Sequence, residues 1–136
     1  MTDIWFARWK PGAARAFASS GDPVIVSVTE FTPHRPRTAF GVATRGMALR
    51  KTWPGLEGAI GMWLWLTPDL RRPRSGAISV WRTEADLHRF VARADHVRIM
   101  RAYRDRGALR TKTWQQSRFD PPAIREAART FLAEPA

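Results

Sequence analysis

Polar and apolar positions fall into two rhythms along this chain. Residues 23–31, Pro-Val-Ile-Val-Ser-Val-Thr-Glu-Phe, are dense in β-branched side chains and have no helical period, which predicts a strand. Residues 32–37 contain two prolines and one histidine and read as a loop. Over residues 38–53, Phe40, Val42, Ala43, Met47, Leu49 and Trp53 recur with Arg45, Arg50 and Lys51 between them. That spacing predicts an amphipathic helix, weakened by Gly41 and Gly46 and ended by Pro54-Gly55. Residues 57–67 read as a strand apolar on both faces, residues 68–74 as a turn, and residues 75–82 as a third strand. Thr83 is placed to cap a helix, with Glu84 and Asp86 in the first turn where the helix dipole favours anions. Leu87, Phe90 and Val91 form its apolar side, and Asp95 predicts the cap of a second segment over 96–106 that Gly107 stops. A fourth strand over 108–116 and a helix over 121–132 that opens on proline complete the pattern. The first 22 residues form a leader. It carries Ile4, Trp5, Phe6 and Trp9, breaks at Pro11-Gly12, and allows a short helical turn over 13–18.

The predicted order is β-α-β-β-α-β with extra helical segments at both ends, an α+β chain of the ferredoxin-like type. It divides into the leader, 1–22, and one domain, 23–136. Alternation along the second strand puts Ala59, Gly61, Trp63 and Trp65 on one face and Ile60, Met62, Leu64 and Leu66 on the other. In the third strand, Ala77, Ser79 and Trp81 oppose Ile78 and Val80. Two helices cover one face of a four-stranded sheet, and an uncovered face carrying two indoles would be a large apolar surface. The pattern therefore calls for a cover: a second subunit, a ligand, or stacked bases.

Stacked bases are the solution of RNA-recognition motifs, whose third strand carries paired aromatics. Here that segment reads Arg-Ser-Gly-Ala-Ile-Ser-Val-Trp from Arg74 to Trp81 and lacks them. The net charge of +11 and the isoelectric point near 11.6 point the other way, toward an anionic partner. Twenty of the 23 cations are arginines scattered along the chain, a distribution that reads as a solvated basic surface steering an acidic small molecule or protein. Nucleic acid is the less favoured partner. The absence of cysteine excludes a disulfide framework, a thiolate nucleophile and a Cys-ligated metal. The longest apolar run has eight residues, far short of the ~20 that span a bilayer. With Asp3, Arg8 and Lys10 near the start and no apolar signal region, the expectation is a cytoplasmic protein without a membrane partner.

From Gly76 the chain reads Gly-Ala-Ile-Ser-Val-Trp-Arg-Thr-Glu-Ala-Asp-Leu, continues through Phe90-Val91, and reaches His96-x-x-x-Met100-Arg101. Upstream, Pro54-Gly55-Leu56 precedes an apolar strand. These motifs resemble the antibiotic-biosynthesis-monooxygenase type of dimeric α+β barrel, above all its spheroidene monooxygenase-like branch. The resemblance spans about 24–116. It implies a homodimer with a pocket between sheet and helices in each subunit. Relatives include cofactor-free oxygenases acting on polycyclic aromatics, haem-degrading enzymes and haem-dependent oxygenases. Where a relative binds haem, a histidine on the second helix is the axial ligand, and His96 falls near that place, with Met100 one turn on. The chain contains no asparagine, so the Asn-based constellations of some relatives have no counterpart.

The candidate site follows. His96 shares a helix face with Ile99, Met100 and Tyr103, and an imidazole on an apolar face serves as base, as ligand, or as a hydrogen-bonded structural group. Trp63, Trp65 and Trp81 line a pocket or fill a core, and Tyr103 offers a hydroxyl to a ligand or packs with a wet end. His34 and His88 are read as surface residues. The leading function is a monooxygenase-like protein holding one hydrophobic or aromatic small molecule, with or without haem. The alternatives are a non-catalytic binding or structural barrel and a polyketide-type cyclase or isomerase.

Overall fold

Three alternate valines, Val24, Val26 and Val28, lie on the same side of the longest central strand, and the fold is organised around them. The molecule was analysed as a computed structural model, which describes residues 3–134. The strands are β1 (Trp5–Phe6), β2 (Lys10–Pro11), β3 (Val24–Pro33), β4 (Ala59–Leu66), β5 (Ser75–Trp81) and β6 (Gly107–Gln116). The helices are α1 (Thr38–Thr52), α2 (Glu84–Val91), α3 (Ala94–Tyr103) and α4 (Pro121–Ala133). From β3 onward the order is β-α-β-β-α-β, with the second helix broken into α2 and α3. The sheet is antiparallel, in the order β4-β5-β3-β6, and β1 and β2 both pair with the outer edge of β4. This is an α+β fold compatible with the ferredoxin-like arrangement.

Local signals place most boundaries. Thr83 caps α2 as its spacing predicts, its Oγ1 accepting from the Asp86 amide at 3.2 Å. Asp120 does the same for α4, accepting from Ala123 N at 3.3 Å ahead of two prolines. Asp95 is different. The residue at the cap of α3 is Arg93, and the Asp95 carboxylate sits inside the first turn, accepting from His96 N at 2.9 Å and from the Arg93 guanidinium. A carboxylate is as well placed there by the helix dipole as at the cap itself. Gly107, expected only to stop α3, opens β6 opposite Pro33. The amphipathic character expected of α1 is absent: it buries no residue, and Phe40 is 81% exposed.

The two faces of the sheet carry separate cores. One joins Val24, Val26, Val28, Ile60, Trp63, Trp65, Ile78 and Val80 to Ile124, Ala128, Phe131 and Leu132 of α4. The leader closes this face further. Trp9 packs 4.4 Å from Trp63 and 5.2 Å from Phe119 between ring centroids, and its indole occupies the space a side chain on Gly61 would take. The other core joins Met62 and Trp81 to Trp53, Leu56, Leu87 and Phe90 under the remaining helices. A β-bulge between Ala59 and Gly61 puts Ile60 into the first core and Ala59 into the second. Strict alternation assigns these two residues the opposite way.

The indoles that called for an outside cover are therefore covered from within. Trp63 and Trp65 are 4% and 2% exposed in the single chain, beneath α4. Helix α4 is held there by a buried ionic knot. Glu30, on the same face as the valines, pairs with both Arg74 and Arg110. The two guanidiniums also donate to the carbonyls of Leu132 (2.9 Å) and Phe131 (3.1 Å), and Arg110 lies 4.3 Å above the Phe131 ring. Terminal helix carbonyls need such partners, because the helix supplies none.

Candidate functional site

Helix α3 carries three of the candidate residues, His96, Met100 and Tyr103, and the fold separates them into two surface depressions. Three contacts fix His96. Its backbone amide is held by Asp95, its ring meets Phe90 edge-on at 4.8 Å, and its Nδ1 lies 3.1 Å from the carbonyl oxygen of Val91. A carbonyl only accepts, so Nδ1 carries the proton and the neutral ring presents a bare lone pair at Nε2. Nε2 has no hydrogen-bond partner among the described residues. Burial lowers the imidazole pKa below its ordinary value, against the Val91 carbonyl and the Asp95 charge, which favour the cation. At neutral pH the ring is an uncharged base.

The space beside it measures about 280 Å³ and is lined by Val91, Val97, Met100, Arg101 and Arg104 together with His96. Its walls are mostly apolar, and the two arginines come from the last turn of α3 and the residue just after it. The donor set matches part of what a haem needs. An imidazole whose Nδ1–H is tied to a carbonyl is oriented for metal ligation through Nε2, and guanidiniums pair with carboxylates. The room does not match. The volume falls just below the ~300–1,000 Å³ of ordinary small-molecule pockets, and the depression is open, so it does not enclose a macrocycle.

Tyr103 belongs to the other depression, of about 290 Å³, with Arg37, Thr38, Gly41 and Arg106. Its ring stands edge-on to Phe31 at 6.1 Å, and its hydroxyl occupies the place a side chain on Gly41 would fill. The three tryptophans line neither depression. Trp63 and Trp65 lie in the core under α4, where the Trp65 Nε1–H donates to Thr29 O at 3.1 Å. Trp81 lies on the opposite face and donates to Ser79 Oγ at 2.9 Å, packed on Trp53 and Phe90. Its one link to His96 runs through Phe90, which touches both rings. His34 and His88 are exposed, as the sequence suggests.

Arg37, Thr38, Gly41 and Arg106 are absent from the sequence-derived candidates. One signal marked Gly41 alone: a glycine one turn into a helix costs about 1 kcal/mol relative to alanine and points to a close approach. Among the described residues no group of three or more His, Asp or Glu is placed to hold a metal ion, and no helix is long and apolar enough to cross a membrane. Compared with protein-family models and with curated proteins, the chain finds no match.

Proposed function

We propose that the protein binds a small apolar or aromatic molecule in the depression beside His96 and acts on it as a monooxygenase-type enzyme, with His96 as the base. One observation carries this reading: a neutral imidazole, locked in one tautomer by the Val91 carbonyl and with an unpartnered Nε2, is among the side chains that line a mostly apolar depression. The resemblance of the 76–101 segment to monooxygenase-like barrels supplies the reaction class. The chemistry that suits such a base starts from a substrate whose CH₂ group is acidified by flanking aryl and carbonyl groups. Nε2 takes one proton, and the carbanion passes its electrons to O₂. A C–O bond forms, the O–O bond breaks, and CH₂ + O₂ becomes C=O + H₂O. The substrate supplies all four electrons, so no external reductant enters. Arg101 and Arg104 would hold the enolate-like charge that develops.

The test uses anthrone, an aromatic with such a methylene, and follows oxygen uptake by the full chain. His96→Gln is expected to abolish turnover while leaving anthrone binding within a few-fold of wild type. Binding without oxygen uptake would favour the second reading, a non-catalytic binding protein, which the scarcity of polar groups in the depression supports. Failure to bind anthrone or 1-naphthol would remove both. Added hemin should give no shifted Soret band, and a band lost in His96→Ala would overturn the argument from size. A homodimer belongs to the same proposal. Its support lies at β6, which pairs only with β3 among the described residues and leaves Leu109, Thr111, Thr113 and Gln115 exposed on one face. Sizing chromatography decides it, and elution as a monomer would refute it.

A further inference from the structure

We infer that the second depression, between the start of α1 and the end of α3, is an oxyanion site that takes a small carboxylate or phosphate on Tyr103, Arg37, Arg106 and Thr38. It is separate from the reading of His96 and does not depend on it.

The Tyr103 hydroxyl carries the argument. The residue is only 9% exposed, yet the hydroxyl has no hydrogen-bond partner among the described residues. Its position is enforced. Phe31 packs against the ring edge, the Arg106 guanidinium lies 5.5 Å from the ring centroid, and the missing side chain of Gly41 leaves the oxygen its place. A phenol held this way lines the depression with an O–H that no group among the described residues uses.

The charges around it point to the same ligand. Arg74, Arg82, Arg89, Arg93, Arg110 and Arg129 each have a carboxylate partner. Arg37 and Arg106, both exposed, are among the other arginines that have none among the described residues, and no carboxylate lines the depression they share. The half-buried Thr38 adds a hydroxyl. The first amides of α1 are not donors here, because those of Thr38, Ala39 and Phe40 already bond the carbonyls of Arg35, Pro36 and Arg37. The helix contributes only its field, and no acidic side chain in the first turn offsets it. Two unpaired guanidiniums, a phenol and an alcohol converge on about 290 Å³, room for a small organic acid or a phosphate.

The experiment titrates inorganic phosphate and benzoate separately into the ¹⁵N-labelled full chain, with sodium chloride at matched ionic strength as control. Saturable shifts at the Gly41 amide and at the Arg37 and Arg106 side-chain Nε–H signals are expected with at least one of the two. Preference for phosphate assigns a phosphate ester, and preference for benzoate a carboxylate. Tyr103→Phe keeps the packing and should weaken binding about tenfold, as should Arg106→Gln. Arg45→Gln, an exposed arginine elsewhere on α1, should leave it unchanged. Equal response to chloride, an unchanged affinity in Tyr103→Phe, or equal loss in Arg45→Gln would each overturn the site.

Discussion

Replacing Glu30 by glutamine keeps the side-chain volume and removes one charge from the knot under α4. The Glu30 side chain is 6% exposed, while Arg74 and Arg110 retain 20% and 22% exposure. Breaking a fully buried ion pair by removing one partner costs about 3–5 kcal/mol. The guanidiniums keep some water here, so the cost expected for Glu30→Gln is about 2–3 kcal/mol. Set against a total stability of about 5–15 kcal/mol, this is a large fraction. The melting temperature should fall by roughly 8–12 °C, at ~4 °C per kcal/mol for a chain of this size. The loss should also be local. The two guanidiniums hold the Phe131 and Leu132 carbonyls as well as Glu30, so loosening them frees the end of α4 and wets Trp63 and Trp65 beneath it. Urea melts followed by tryptophan emission give the magnitude, and amide exchange gives the location, with α4 exchanging before β3 and β5. A double-mutant cycle with Arg110→Gln should return a coupling of at least ~1 kcal/mol. A Glu30→Gln protein within ~0.5 kcal/mol of wild type, with α4 exchange unchanged, would refute the knot as the fastening of this helix.

Two further perturbations test other parts of the structure. The folded His96 has a lowered pKa, so the unfolded chain binds the proton first as pH falls. Its contribution to stability is therefore present above the ordinary pKa of 6.5 and is lost as pH falls through the lower folded value. In urea melts at pH 7.5 and 5.5, wild type should lose more stability on acidification than His96→Gln, and equal losses would show that the imidazole is not held neutral. Gly61→Ala puts a methyl group where the Trp9 indole lies. Overpacking of this kind costs about 1–3 kcal/mol and should release the leader to limited proteolysis while β3 to β6 stay protected; a leader as resistant as wild type would count against this packing.

The candidate site was legible in parts. His96 was singled out because an imidazole sat at helical spacing among apolar residues, and the structure gives it a lining of Val91, Val97 and Met100. Tyr103 was singled out on the same face, and seven residues of helix carry it about 10 Å farther along the axis, into a different depression under α1. Its companions Arg37 and Arg106 lie 69 positions apart in the sequence, and no local pattern joins them. The tryptophans were grouped by residue type, and the sheet divides them. Trp63 faces the same side as Ile78, its partner across the strands, while Trp81 stands opposite Ala59 on the other side.

The element types and their β-α-β-β-α-β order were determined by the chain alone, because β-branched runs, turn prolines and the caps at Thr83 and Asp120 act over a few neighbouring residues. Which surface covers which was decided only on folding. The same indoles are satisfied by a partner molecule, a ligand or a terminal helix, since apolar burial has no direction and counts only area removed from water. The choice of α4 rests on Glu30, Arg74 and Arg110 meeting the last carbonyls of a helix that begins 91 residues after Glu30, and only the closed chain brings those groups together.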